Sequence, residues 1–595
     1  MMDIEDHYLT LHKQYELKPD KTWFPVSMDE LSVIFDCTRR NTQFLVQKLK
    51  EHGYIDWKSG LGRGNTSQLV LLRDKEELIL EKARRRAQQG RIREAFECLQ
   101  ASSDESLHTQ FHSWLGDQFG MHKQRSDEDV LRFPFYRPVP DLDPLTVVRR
   151  TEAHMIRQLF DTLVEYDPQQ QTLKPGLAHH WECDETKSRW TFYLRKGVMF
   201  HHGKRLTAED VRFTFERIRD WSAGDFLAQS VLQVEMKSAY SVCFQLAEPN
   251  ALFAHFIATE RFSIIPNDLE QIAARQNFTR LPVGTGPFQI KENNESILVL
   301  EANERYFNGR PFLDRIEMWV WPNYEEQLRS RARSSDQTQL LYFEALSKGD
   351  SDRTLNQYEL GSTLLTFNLS KDGVVQDRRL REAIHLTLDR KQMIRELQGK
   401  RAVTSSGFDP GWNDPAYGKG SDLDAAKELL RSSTYAGEVL QLYTYEYFSN
   451  EEDVRWIRQE CGKLGVKVEI NVLPILELSQ AGVIVQADMI FVGEVLGGQP
   501  SIALIEMYRS PNGYIRNHLD AATLAKVDGR IRDALETADP EQRMQILRGI
   551  EAELKRECSV LFMYHSVQTV GHEKSLHGIE MNAWGKIDYK EIWMK

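Results

Sequence analysis

Apolar residues recur at helical spacing near the start of the chain. Met28, Leu31, Val33, Ile34 and Phe35 share one short segment, and their spacing predicts an amphipathic helix. A turn at residues 36–37 follows. Thr38 is a good N-cap for a second helix, TRRNTQFLVQKLKEHG, with Phe44, Leu45, Val46 and Leu49 as its apolar face and Gly53 as its terminator. YIDWKSGLGRGN then reads as a strand and a glycine turn, and TSQLVLL as a second strand. Two short helices with a tight turn, then a hairpin, predict a winged helix-turn-helix over residues 1–72.

Residues 73–126 are charged and helix-prone, with KARRRAQQGRIREAFECLQ at their centre and a break expected at Gly90. They read as a solvated helical linker, a rigid relay or a homodimer contact, and the sequence does not choose. From about residue 127 strand-like and helix-like segments alternate, so 127–595 reads as a large α/β body. Trp190, Phe192 and Leu194 alternate with polar residues as in a strand. Thr207 reads as an N-cap, with Asp210 three residues on as an approximate capping box. The fold class expected is therefore multidomain: an α+β winged helix followed by an α/β body.

The 595 residues suffice for several domains, and the apolar share of 41% is ordinary for globular chains. A net charge of −12 argues against a chain that coats nucleic acid along its length. Between Thr38 and Thr66, however, six Lys or Arg face two Asp or Glu, so the predicted winged helix is basic within an acidic whole. The six cysteines form no C-x-x-C pair, which fits free thiols in a reducing compartment. The acidic opening MMDIEDHYLT carries no export signal and no long apolar window exists. A cytoplasmic protein without membrane contact is the expectation.

The glycines of the hairpin raise a phosphate-binding alternative. Gly60 and Gly62 fit G-x-G-x-x-G, but residue 65 is Asn and a strand follows where a helix N-terminus is needed. Double-stranded DNA suits the segment better. Thr38, Arg39, Arg40, Asn41 and Gln43 fall in the opening of the second helix, the part that enters the major groove. Arg can read guanine, and Asn or Gln adenine. Lys48, Lys58 and Arg63 can neutralise phosphates, the last two from the wing. The bland alternative is a solvated helix face and an ordinary hairpin that makes protein contacts.

In the body, KPGLAHHW, WTFYLRKGVMFHHG and LTAEDV occur in order, followed by GTGPFQI, NERYFNGRPFLDRIEM, FNLSKDGVVQDRRLREAIHLTLDR and DLDAAKELL. These pieces resemble the dipeptide, oligopeptide and nickel class of ABC-transporter solute-binding proteins over nearly all of 127–595. The resemblance implies two α/β lobes around a cleft: lobe I about 127–345 with a small extra domain, lobe II about 350–555, and a return to lobe I about 560–595. A winged helix in front of such a body resembles the SgrR-type transcriptional regulators. What that implies is an operator-binding domain and an effector such as a sugar phosphate, a peptide or another metabolite, closed upon by the lobes.

Peptide binders of that class often hold the peptide's amino group with an aspartate. The matching stretch, VGEVLGGQPS, has Leu496 at that position and Glu494 as the nearest carboxylate, which puts a free peptide in doubt. Tyr136 and Arg137, ahead of VPDLDP, and Trp412 in GFDPGWN complete the effector candidates, with packing or surface roles as the alternative. GVMFHHGK mimics a P-loop but lacks the Ser/Thr that would hold magnesium. His179–180 and His201–202 are adjacent on strands and so face opposite ways, which makes poor chelates. No metal, cofactor or catalytic motif is expected, and the protein reads as no enzyme. The expectation is a ligand-responsive transcription regulator. A solute- or peptide-capture protein whose winged helix meets other proteins is the alternative, and an enzyme on this scaffold a third.

Overall fold

The structure is a computed structural model. It describes residues 3–16, 21–60, 66–123, 128–147, 149–221, 226–321, 324, 341–344, 354–414, 417, 421–572 and 576–595. Two compact units are present, one built on Met1–Phe119 and the other on most of the remainder. Among the described residues, no helix is long and apolar enough to cross a membrane.

The first unit opens with the helix Ile4–Gln14, then Met28–Ile34 and Arg39–Glu51. Ser27 caps the second of these in a reciprocal box with Glu30. Asp36, at a φ of +46°, turns the chain into the third, whose N-cap Thr38 accepts from the Asn41 amide. Gly53, at a φ of +73°, ends it. The strands Phe24–Pro25, Gln68–Leu71 and Ile55–Lys58 form a three-stranded antiparallel sheet with the second in the middle. Tyr8, Leu11, Leu31, Leu45, Leu49, Ile55 and Leu69 make its core.

Three further helices, Lys75–Gln88, Ile92–Leu99 and Glu105–Gly116, belong to the same compact unit. Gly90 separates the first two with a φ of +73°. Arg85 pairs with Glu5, and the buried Lys82 with Asp6, tying Lys75–Gln88 to the N-terminal helix. Part of the basic run is thus bound to acids within its own unit.

The second unit contains a four-stranded antiparallel sheet over 178–246, a five-stranded sheet joining 120–135 to 288–320, and an eight-stranded mixed sheet. Trp190, Phe192 and Leu194 all point into the core of the first of these, as their alternation predicts. In the third, Val439–Tyr445 runs parallel to Lys467–Leu473 through the crossover helix Phe448–Leu464, and parallel to Met489–Val495. Gly361–Phe367 lies antiparallel between Met489–Val495 and Val560–Gly571. The Thr207 amide and hydroxyl both donate to Asp210, at 2.9 and 3.2 Å, at the start of the helix Ala208–Trp221.

Candidate functional site

On the helix Arg39–Glu51 the buried residues are Thr42, Leu45, Val46 and Leu49. Two expectations need correction. Phe44 belongs to the outer face and is 55% exposed, and Val33 on the preceding helix is 81% exposed. The polar Thr42 takes the inner position because its hydroxyl is satisfied there, donating to Thr38 O at 3.1 Å and lying 3.0 Å from Ser32 Oγ.

Thr38, Arg39, Arg40, Asn41, Gln43 and Lys48 are all exposed on one continuous segment. Arg39 pairs with the still more exposed Asp29, at 3.1 Å. Lys58, at the end of its strand, holds its ammonium 4.0 Å from the Trp23 ring centroid. Arg63 lies outside the described residues. Of the eight residues expected to touch DNA, six are thus exposed along the start and body of one helix and Lys58 is exposed on the following strand.

In the second unit, the helix Arg150–Leu159 projects two consecutive arginines from its N-terminal end. Arg149 reaches Glu446 at 2.8 Å, and Arg150 pairs with the buried Glu359. Burial alone would raise the pKa of Glu359, but Arg150 and Lys400 hold it below its ordinary value. Lys586 is nearby; burial and the positive field of Arg150 and Arg137 push its pKa down to about 7.

Glu494 is next to last in the strand Met489–Val495, opposite Ser362. Its carboxylate has no ion pair or hydrogen bond among the described residues, and Tyr445 and Tyr514 are the groups that feel its charge. Burial raises its pKa to about 7. Its neighbour Val495 lines a cavity of about 530 Å³, together with Arg157, Asp161, Tyr166, Gln499 and Trp584. Gln499 bonds His255 twice, at 2.8 and 3.1 Å.

The other expected effector residues are placed differently. Arg137 spends its guanidinium fork on Glu152, at 2.7 and 2.9 Å, and also donates to the Tyr136 hydroxyl at 3.0 Å. Trp412 is 67% exposed under the guanidinium of Arg548, 3.7 Å away. Leu496 is buried and donates its amide to Leu360 O. Arg150, Glu359, Tyr445 and Lys586, whose charges influence one another, are not singled out by the sequence. Each comes from a different stretch of the chain, and no local spacing announces them.

The look-alike motifs resolve into structure. Lys204 is held by Asp210 at 2.7 Å and Asp268 at 3.1 Å. His201 accepts from the Gly284 amide at 3.2 Å and donates to Gly286 O at 3.1 Å, which pins the GTGP turn. Burial keeps that ring neutral, its pKa down at about 4. His202 turns away to Asp268. For His179 and His180 the expected opposite facing fails: both are exposed, because the pairing slips between Ala178 and His180.

A two-lobed solute-binding body behind a winged helix is the class that this fold defines. Residues 172–514 match the family described as "Bacterial extracellular solute-binding proteins, family 5 Middle", and residues 4–122 match "Sugar transport-related sRNA regulator N-term". The chain belongs to the family 5 solute-binding proteins and carries an SgrR-type N-terminal domain. It is 32% identical to the uncharacterized protein YhjP of Bacillus subtilis over the whole of both chains. It is 26% identical to the HTH-type transcriptional regulator SgrR of Yersinia enterocolitica, over 99% of this chain and 98% of that one. Its fold is similar to the periplasmic binding protein DppA of Helicobacter pylori in complex with a peptide, at a TM-score of 0.66 and 20% identity, over 81% of this chain and 99% of that one. Neither matched family is one of enzymes.

Proposed function

We propose that this protein is a ligand-responsive transcription regulator of the bacterial cytoplasm. Its winged helix binds duplex DNA, and its two-lobed body takes a small-molecule effector between the lobes. The observation that carries the reading is the outer face of Arg39–Glu51. Arg39, Arg40, Asn41, Gln43 and Lys48 are presented together, uncovered, on the helix that a winged helix lays in the major groove.

The effector sits where Glu494 faces Tyr445 and Tyr514 without a charge partner among the described residues. Arg150–Glu359 and Arg149–Glu446 join a segment of the expected first lobe to segments of the expected second. Tyr136, Arg137 and Trp412 then support the body rather than the effector. An effector that closes the lobes alters DNA affinity only through differential binding to two states, typically about 5- to 150-fold.

The test is binding of the full chain to duplexes from a randomised pool, across a salt series, with and without peptides, amines and sugar phosphates. Steep salt dependence that is lost in Arg39→Ala/Arg40→Ala supports the reading. Salt-independent binding, or the same affinity in that variant, favours a winged helix that meets other proteins.

A further inference from the structure

We propose that Phe44 is a base-reading residue, its ring packing on the C5-methyl group of a thymine in the major groove. The inference rests on the DNA-binding reading above and adds a specificity element to it.

The buried line Thr42, Leu45, Val46 and Leu49 settles which side of the helix packs on the core. Phe44 is on the other side, 55% exposed, and takes no part in the cluster that holds the winged helix together. Its neighbours three and four positions away are Arg40, Asn41, Gln47 and Lys48, all exposed and none acidic. The Lys48 ammonium lies 4.7 Å from the ring centroid. Within this helix the sole acid is Glu51, in the last position, where it accepts a hydrogen bond from Gln47 at 2.9 Å.

A large apolar ring kept in water forgoes the stabilisation that burial would give. Its surroundings decide the occupant. A protein partner burying Phe44 would also have to desolvate Arg40 and Lys48 and supply acids for them. A duplex supplies phosphates for both cations. Among base edges in the major groove, the thymine methyl is the apolar feature that a phenyl ring can cover. Arg40 and Lys48, on either side of Phe44, then bracket that base along the groove.

The experiment starts from duplexes enriched by the full-length protein from a random pool. Each thymine is replaced in turn by deoxyuridine, which removes only the methyl group, and affinity is read by fluorescence anisotropy for the wild type, Phe44→Ala and Phe44→Leu. The expected result is at least one thymine whose replacement weakens wild-type binding about four-fold, the equivalent of one buried methyl. Phe44→Ala should bind the thymine and deoxyuridine duplexes equally, and Phe44→Leu should keep part of the discrimination. Phe44 is solvent-facing, so thermal unfolding of the variants should match the wild type. If no thymine shows this loss, or if Phe44→Ala keeps it, the inference is overturned while salt-dependent binding leaves the DNA-binding reading intact. If no duplex is enriched at all, both fall together.

Discussion

A guanidinium nitrogen of Arg149 lies 2.8 Å from a carboxylate oxygen of Glu446, joining the helix that begins at Arg150 to the end of the strand Val439–Tyr445. Arginines at a helix N-terminus oppose the helix dipole, and the facing carboxylates offset that cost. The two neighbouring pairs differ in burial. Arg149 and Glu446 keep 28% and 46% of their side-chain surface, whereas Glu359 keeps 7%. Arg149→Ala should therefore change stability by less than about 1 kcal/mol. Glu359→Ala leaves Arg150 and Gln568 without their acceptor and should cost about 2–4 kcal/mol. Guanidinium denaturation of both variants measures the contrast.

Glu494 predicts a pH dependence. Its carboxyl keeps the proton up to about pH 7 in the folded protein, while in the unfolded chain it ionises near its ordinary value of 4.5. Between those values the folded state binds more protons, so this group's contribution to stability falls as pH rises, and the penalty is complete above pH 7. Glu494→Gln removes it. The variant should be more stable than wild type by about 1–2 kcal/mol at pH 8 and indistinguishable near pH 4. Thermal melts at the two pH values check this.

Where a local rule acts alone, the chain can be read without its structure. Thr38, Gly53 and the alternation at 190–194 each encode a cap, a stop or a strand within a few residues. Phe44 was misplaced because hydrophobicity alone cannot say that Thr42, satisfied by Thr38 and Ser32, takes the inner position. His179 and His180 defeat a period-two argument through a one-residue slip that no composition marks. The surroundings of Glu494 were the least legible part. Arg150 starts a helix, Tyr445 and Glu494 end strands, and Glu359 and Lys586 lie outside both, so only the fold brings these distant segments near one another.

The GTGP turn leaves no room for a side chain at either of its glycines. A Cβ at Gly284 would sit 1.9 Å from Leu159 O, and one at Gly286 would sit 2.5 Å from the Leu159 carbonyl carbon. Backbone cannot yield as a side-chain tip does, so Gly284→Ala should destabilise by about 3 kcal/mol or more. Gly373, with open space around its Cβ direction, provides a control. Its alanine variant should melt within a few degrees of wild type, by differential scanning calorimetry.

Lys48 and Lys58 make a quantitative prediction for DNA. Each is exposed and expected on a phosphate, so each alanine variant should weaken binding across all sequences and reduce the slope of log affinity against log salt by about 1. A titration from low to moderate potassium chloride separates this from loss of base reading, which leaves the slope unchanged.

The winged-helix sheet ends on one side in two residues, the second of them Pro25. Proline has no amide hydrogen to offer, and a strand this short presents no row of donors and acceptors for another backbone to zip onto. Copies of this protein are thereby kept from fusing sheet to sheet along that margin. Pairing along that margin has to be negotiated through side chains, where its geometry can be specific and its strength set residue by residue.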